Sequence, residues 1–452
     1  MYGLQHFLAG VATLGTFSLA LPEAISLRQA VAIPPSQDPF YTPPSGFQTS
    51  QLGDILRSRP VPTAISLVGV VPIDVAGSYQ LMFRTTDNDG NPAAAVTTVI
   101  IPHNATLTNL LAYEVAIDAS DVDCAPSYAL QRGPNPNTAL SQIEFANILA
   151  ALNRGWCVTL PDFLGLKSAF VARDLTGHTV LDAIRATLKS SSTTQVSSAA
   201  KVTVWGYSGG GIASGVAAEL QPSYAADLKI VGFVLGGPTP NVANAIHDFN
   251  GGVFSGVTVG ALWGLANAYP KVGQVLQDHL LPATAAKFTH ARDNNCLLQN
   301  AAEFTLQDVT SGYFDTDITK VPYISQVLDE NNMGKTAPSP SIPLYVYQSI
   351  NNELSPVQDT DVLVKFYCAG GANVEYVRDT LSEHVSLAAT GSPAAVLFLQ
   401  DRFDGRPTTP GCTTTNVAST LLDARALEVY GQGTLNGLKA IIAAAITPTS
   451  IA

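Results

Sequence analysis

The stretch VTVWGYSGGGIASG, residues 202–215, places a serine among glycines where strand-forming residues give way to a helix-like run. Its centre, GYSGG at 206–210, fits the pattern G-x-S-x-G. A sharp strand-to-helix turn exposes the serine hydroxyl, and its neighbours must be small because larger side chains would collide there. The Gly209 N–H, at the start of the helix, can stabilise a developing oxyanion. Ser208 is therefore predicted to be a nucleophile.

Two other interpretations of these glycines exist. A phosphate-binding loop would need G-x-G-x-x-G or a GK[ST] ending, and the sequence contains neither at this point. A glycine-rich helix that packs closely on a strand, without any chemistry, stays open from this stretch alone.

A serine nucleophile needs a base, and four histidines follow Ser208 in the chain. His384, in DTLSEHVSLAATG, comes after what reads as the last strand and before a helix, so a loop at that strand end would reach the serine. The others, His247, His279 and His290, lie at or within a helical segment. His384 is the predicted general base, and a surface histidine at a helix start is the alternative.

The elements around these residues alternate between strand-like and helix-like runs. This pattern predicts an α/β fold with a mainly parallel central sheet, antiparallel at its start and flanked by helices. A helical stretch without strands is predicted to be an inserted cap or lid over a pocket, a plain helical subdomain being the alternative. The expected organisation is a signal peptide at 1–20, a proline-rich arm at 21–60, a core at 61–237 and 323–452, and the cap at 238–322.

Composition limits the class of protein and its partners. The chain has 452 residues, of which 46% are hydrophobic and 13% charged, so it is long and apolar enough for a large core. A net charge of -12 without a basic run argues against nucleic acid as a partner. The apolar run at 7–19 is too short to span a bilayer and is typical of a secretory signal. We expect a secreted, extracellular monomer without an integral membrane segment in the mature chain, with Asn104 in a glycosylation sequon.

Five cysteines fit an oxidising compartment, with two disulfides and one free thiol. Cys157 lies in RGWCVTLPDF, which looks like a buried strand, and is the predicted unpaired residue. The chain has no C-x-x-C pair and no H-x-x-x-H motif, so neither redox nor zinc chemistry is indicated. No metal and no cofactor are expected.

Three stretches resemble the fungal secretory lipases: YEVAIDASDVDCAPSYAL at 113–130, GYSGGG at 206–211 and SEHVSLAATGSPAAVLFLQDRFDG at 382–405. The helical insertion and the cysteine layout are similar as well. That family consists of α/β-hydrolases that cleave acylglycerols and other esters beneath a helical lid. The resemblance implies the α/β-hydrolase fold and a secreted serine hydrolase acting on triacylglycerol or other lipid esters. It also implies the disulfides Cys124–Cys296 and Cys368–Cys412.

By the same resemblance, Asp118 is the second oxyanion donor beside Gly209. A carboxyl group donates a hydrogen bond only when it is protonated, so burial or hydrogen bonding would have to raise the pKa of Asp118. The alternative is that Asp118, in IDASDVD, merely caps a turn.

The acid of the triad departs from the family pattern. The family's aspartate position is occupied by Asn352 in SINNELSP, residues 349–356, with Glu353 next to it. An amide cannot stabilise an imidazolium as a carboxylate does, and Asp-to-Asn costs about four orders of magnitude in a serine protease. We expect rescue by a nearby carboxylate, either Glu353 or one of Asp359 and Asp361; impaired catalysis is the alternative.

Two other functions remain open from the sequence. One is a specialised esterase that deacetylates secondary metabolites. The other is a catalytically impaired, lipid-binding hydrolase homologue, and it depends on Asn352. In the favoured interpretation, the apolar stretch 252–287 forms the lid and lines an acyl-binding pocket.

Overall fold

The computed structural model describes residues 32–423 together with 425, 426, 428 and 429. Its strands are β1 (Ile55–Pro60), β2 (Ser66–Leu67), β3 (Val71–Pro72), β4 (Gly77–Thr86), β5 (Pro92–Ile101), β6 (Thr106–Glu114), β7 (Trp156–Pro161), β8 (Lys201–Tyr207), β9 (Ile230–Gly236), β10 (Leu344–Ser349), β11 (Val374–Asp379) and β12 (Cys412–Val417). Its helices are α1 (Pro126–Ala129), α2 (Phe145–Asn153), α3 (Arg173–Lys189), α4 (Ser191–Thr194), α5 (Gly209–Tyr224), α6 (Val242–Phe249), α7 (Ser255–Ala268), α8 (Pro270–His279), α9 (Pro282–Arg292), α10 (Leu297–Phe304), α11 (Val309–Gly312), α12 (Pro322–Glu330), α13 (Val357–Ala369), α14 (His384–Thr390) and α15 (Ser392–Phe403).

Within the described residues, ten strands form one sheet in the order β1-β4-β5-β7-β6-β8-β9-β10-β11-β12. The pairs from β1 to β7 along this order are antiparallel, and every pair from β7 to β12 is parallel. The predicted α/β arrangement is therefore confirmed. The carboxyl ends of β6, β8, β10 and β11 lie along one edge of the sheet, which is where open parallel sheets build their ligand sites.

Strand β8 is buried along almost its whole length because helices cover both faces of the sheet. Val202 and Val204 pack in the layer that contains α3 and α5. Trp205 and Tyr207 pack in the opposite layer with α2 and α15. This two-residue alternation holds the end of β8, and therefore the serine that follows it, rigidly between two cores.

The helical insertion lies between β9 and β10 and contains α6 to α12. Helices continue to Glu330, beyond the predicted end of the cap at 322, because Ile324, Val327 and Leu328 give α12 a buried apolar face. In the part of the chain that the structure describes, no helix is both long enough and apolar enough to cross a bilayer. The division of the chain into core and cap remains a prediction.

Two edge strands correct the sequence interpretation. Residues 55–60, assigned above to an irregular arm, form β1 and pair with β4. The strand that precedes His384 is not the last one, since β12 pairs beside it at 412–417. Both segments were missed because neither shows apolar alternation: β1 is mostly half-buried and contains Arg57, Ser58 and Arg59, and β12 is polar and largely exposed. The predicted signal peptide at 1–20 lies outside the described residues.

Two disulfides join the pairs that the resemblance implied. Cys124–Cys296 ties the loop after β6 to the start of α10, and Cys368–Cys412 ties α13 to the start of β12. Cys157 is a free, buried thiol on β7. The first disulfide therefore links the helical insertion to the edge of the sheet where the site lies.

Candidate active site

Ser208 lies at the turn between β8 and α5, with φ +55° and ψ -119°. A serine in this left-handed region is strained, and such strain persists only where the surroundings impose it. The turn is tight: a Cβ atom on Gly210 would lie 1.8 Å from the backbone oxygen of Glu114. Close packing of α5 on β6 thus requires glycine at this point and fixes the serine at the carboxyl edge of the sheet.

His384 begins α14, just after β11, and its Nε2 lies 2.8 Å from Ser208 Oγ. Two contacts hold its backbone: the N–H donates to Glu353 Oε2 at 2.6 Å, and the carbonyl accepts from the Tyr207 hydroxyl at 2.5 Å. Burial lowers the pKa of His384 to about 4. The imidazole is therefore neutral across most of the physiological range.

Asn352 occupies the position that faces the other ring nitrogen. Its Nδ2 lies 2.9 Å from His384 Nδ1 and donates to Gln348 Oε1 at 2.6 Å. Its Oδ1 accepts from the backbone N–H groups of Leu354 and Ser355, both at 2.8 Å. Ser208, His384 and Asn352 thus form a continuous chain of contacts, with an amide at the position where the resemblance implied a carboxylate.

The ring nitrogens of His384 bond to Asn352 and Ser208, and none of the three candidate carboxylates makes a hydrogen bond to the ring. Glu353 contacts the backbone of His384 and not its ring. On α13, Asp359 accepts from Asn244, and Asp361 accepts from the Tyr376 hydroxyl. Sequence reasoning could not foresee this, because the Glu353 carboxylate accepts from the backbone N–H of His384, the first residue of α14.

Asp118 follows β6 in a left-handed conformation, with φ +47°, and only 7% of it is exposed. Burial raises its pKa to about 7, and its Oδ1 has no hydrogen-bond partner. The carboxyl group lies against the start of α5, where a Cβ on Gly209 would come within 2.0 Å of Oδ1. Asp118 and Gly209 therefore lie side by side, next to Ser208.

A second buried carboxyl group near Asp118 was not identified from the sequence. Glu144 accepts from the Tyr113 hydroxyl at 2.7 Å and from the Ala116 N–H at 2.9 Å. Burial raises its pKa to about 7, and the charge of Asp118 acts in the same direction. Glu144 thus braces the backbone that leads to Asp118. No motif indicated it, since its role depends on a contact across separate elements.

A cavity of about 990 Å³, its open mouth included, lies above these residues. Ser208, Gly209, Asp118 and His384 line it together with apolar side chains of the insertion, namely Val242, Ala245, Ile246, Phe249, Phe254, Val257, Ala261 and Leu297. The insertion's share of the lining comes from α6, the first half of α7 and the start of α10, so the stretch 252–287 contributes only its beginning. The cavity therefore offers mostly apolar surface next to the serine.

The described residues contain no group of three or more His, Cys, Asp or Glu side chains arranged to hold a metal ion. Asn104 lies in an exposed turn between β5 and β6. Its glycosylation and the roles of the site residues remain predictions.

Comparisons with known proteins agree with this geometry. A family model described as secretory lipase matches residues 130–411. Lipase A of Arthroderma benhamiae is 41% identical over 432 residues, which is 94% of this chain and 91% of that protein. A Mycobacterium tuberculosis protein named "Probable inactive lipase MT1628" is 38% identical over 397 residues, 84% of this chain and 85% of that one.

The fold comparison gives the same result. The X-ray structure of Candida antarctica lipase A in its closed state matches with a TM-score of 0.81 at 30% identity, covering 91% of this chain and 96% of that one. The resemblance stated from the sequence is thereby confirmed, and so is the α/β-hydrolase fold. This chain belongs to the secretory lipase family of carboxylic ester hydrolases.

Proposed function

We propose that this chain hydrolyses lipid or other hydrophobic carboxylic esters by two-step acyl transfer through Ser208. The observation that carries the proposal is the 2.8 Å contact between His384 Nε2 and Ser208 Oγ at an apolar cavity. A hydroxyl group within hydrogen-bond distance of an imidazole is the arrangement required of an activated nucleophile.

In the first step, Ser208 Oγ attacks the ester carbonyl carbon and its proton passes to His384 Nε2. The carbonyl oxygen becomes an oxyanion that accepts from the Gly209 N–H and from protonated Asp118. His384 then gives its proton to the departing alkoxide, which leaves as an alcohol. Water attacks the acyl-enzyme with His384 again as base, and a carboxylic acid is released. The chemistry requires a neutral imidazole with Nε2 unprotonated at the start.

The cavity supports an apolar acyl group as the preferred substrate. Most of its lining is aliphatic or aromatic, and α6 and α7 provide part of it. The secretory family and the two disulfides support release from the cell, with residues 1–20 as the signal peptide. An acetyl group would contact only a few of these apolar side chains, so a secondary-metabolite deacetylase is the weaker alternative.

Ser208→Ala tests the proposal. Hydrolysis of p-nitrophenyl esters should fall to background, because the acyl-enzyme cannot form without Oγ. A fluorophosphonate probe should label the unchanged protein at Ser208 and leave the variant unlabelled. Full hydrolysis by the variant would overturn the assignment. Esters from acetate to long acyl chains, compared by kcat/KM, would separate a lipase from a deacetylase.

One observation favours a second candidate function. The amide of Asn352 faces His384 Nδ1 where a carboxylate would stabilise the imidazolium, and a relative at 38% identity is named as inactive. A catalytically impaired, lipid-binding homologue would have this arrangement. Such a protein would bind an apolar ester with the same affinity in the presence and absence of Ser208 Oγ, and would give no covalent adduct with the probe.

A further inference from the structure

The amide of Asn352 has only one orientation that satisfies its neighbours. Its oxygen accepts from two backbone N–H groups, those of Leu354 and Ser355. If the amide were reversed, its NH₂ group would face these two N–H donors, and its oxygen would face the side-chain oxygen Oε1 of Gln348. Both contacts would be repulsive, so Nδ2 is the atom that points at His384.

Gln348 is fixed in turn by its own partners. Its Nε2 donates to the carbonyl of Pro238 and to Thr360 Oγ1, both at 3.0 Å. Its Oε1 accepts from the Ser349 N–H at 3.0 Å and from Asn352. Because the Gln348 side chain is fully buried, its NH₂ and carbonyl groups cannot exchange these partners for water. Gln348 is therefore a positioning residue that sets which atom of Asn352 faces the imidazole.

We infer that His384 rests with its ring proton on Nε2, donating to Ser208 Oγ, because the Asn352 amide donates to Nδ1. This inference rests on the proposed function and adds the step that limits the rate of hydrolysis. A neutral imidazole carries one ring proton, and an N–H on Nδ1 would point at the N–H of Asn352. In the resting state, Nε2 is a donor to the serine and not an acceptor of its proton. The ring must change tautomer before Ser208 can be activated.

The tautomer can be measured without any turnover. Protein labelled with ¹⁵N in the histidine rings is studied near neutral pH by long-range ¹H–¹⁵N correlation spectroscopy, and His384→Gln identifies the signals of His384. The ring is neutral under these conditions because burial lowers the pKa of His384 to about 4. We expect Nε2 protonated and Nδ1 bare. Protonation at Nδ1 would overturn the inference, whatever the activity of the protein.

Asn352→Asp reverses the arrangement with little change of shape. The aspartate keeps one oxygen on the backbone N–H groups of Leu354 and Ser355, and offers the other to an N–H on His384 Nδ1. Nε2 is then free to accept. We expect kcat to rise at least ~100-fold with KM nearly unchanged, given the ~10⁴-fold effect of the opposite change in a serine protease. The gain is smaller than that limit because the fixed side-chain carbonyl of Gln348 faces the new carboxylate and repels it.

Asn351→Asp is the matched control. Asn351 is exposed and its side chain donates to the carbonyl of Thr380, so the change adds the same charge one residue away. Its kcat should stay at the wild-type value. An equal rise in both variants would assign the effect to charge alone and overturn the inference.

The two proposals fail in different ways. If neither the wild type nor Asn352→Asp reacts with the fluorophosphonate probe, acyl transfer through Ser208 is wrong. If both react and have equal kcat, hydrolysis stands and the tautomer inference is wrong. If Asn352→Asp does not fold, the ring spectrum of the wild type decides alone.

Discussion

The protonation state of Asp118 determines how many hydrogen-bond donors are available to an oxyanion beside Ser208. Burial raises the pKa of Asp118 to about 7, so below that pH its carboxyl group is neutral and can donate. Above it, a carboxylate would repel the oxyanion instead. The burial that makes a charge unfavourable thus turns an acid into a donor.

Asp118→Asn provides a test through the pH profile of kcat/KM. In the wild type, kcat/KM should fall by about tenfold per pH unit above about pH 7, as Asp118 loses its proton. The asparagine donates at every pH, so this alkaline limb should disappear. Below about pH 7, Asp118→Ala should lose roughly 10²–10³-fold relative to the wild type, since it has no donor. A limb that persists unchanged in Asp118→Asn would assign it to another group.

At the scale of residues, the sequence predicted the site residues whose immediate neighbours in the chain indicate their role. The glycines around Ser208 and the loop position of His384 were sufficient to pair them, because strand ends in a parallel sheet meet at one edge. The resemblance placed Asn352 at the acid position beside His384, but the direction in which its amide points was not predictable. Its orientation depends on the buried amide of Gln348, and nothing near that residue in the sequence indicates such a contact.

Among the secondary-structure elements, the turn from β8 into α5 tolerates the least change. Gly210→Ala should destabilise the protein by about 1–3 kcal/mol, since the new methyl group would overlap the backbone of β6, which cannot move aside. Activity should fall as well, by about 10²-fold for a 1 Å displacement of Ser208. Urea unfolding and ester hydrolysis measure the two effects.

Gly273→Ala is the control for this helix substitution. A Cβ there would meet only Ala266, at an ordinary 3.5 Å. Alanine in the middle of α8 should therefore stabilise the protein by about 0.5–1 kcal/mol. If Gly210→Ala behaved like Gly273→Ala, the close packing of α5 on β6 would be wrong.

The elements themselves were predicted unevenly. Buried strands such as β8 were recognised because both of their faces are apolar, and α3 and α5 because they follow such strands. The two edge strands β1 and β12 were missed, since a sequence such as CTTTNV gives no burial signal. Pairing with a neighbour, which only the folded chain supplies, is what makes these segments strands.

For the molecule as a whole, buried carboxyl groups determine how stability depends on pH. Burial raises the pKa of Asp118, Glu144 and Asp162 to about 7, and that of Asp121 to about 6. At these carboxyl groups the folded state binds protons more tightly than the unfolded chain, so their protonation stabilises the folded state. This stabilisation is complete below about pH 4 and is lost as the pH rises through about 7. Tm measured by calorimetry should therefore be higher near pH 5 than near pH 8.

Glu144→Gln removes one of these titrations while keeping the shape of the side chain. The difference in Tm between about pH 5 and about pH 8 should shrink in the variant, because an amide does not ionise. The absolute Tm is not the readout, since the amide also changes the bonds to Tyr113 and Ala116. A wild-type Tm that rises from the lower to the higher pH would contradict the burial of these acids.

The two backbone N–H groups that hold Asn352 would accept an aspartate equally well, and this bears on the history of the protein. Codons for the two amino acids differ by a single base, so a lineage carrying this gene can reach a carboxylate in one mutational step. Persistence of the amide over many generations would then mean that slow turnover, or retention of the ligand, is what selection maintains.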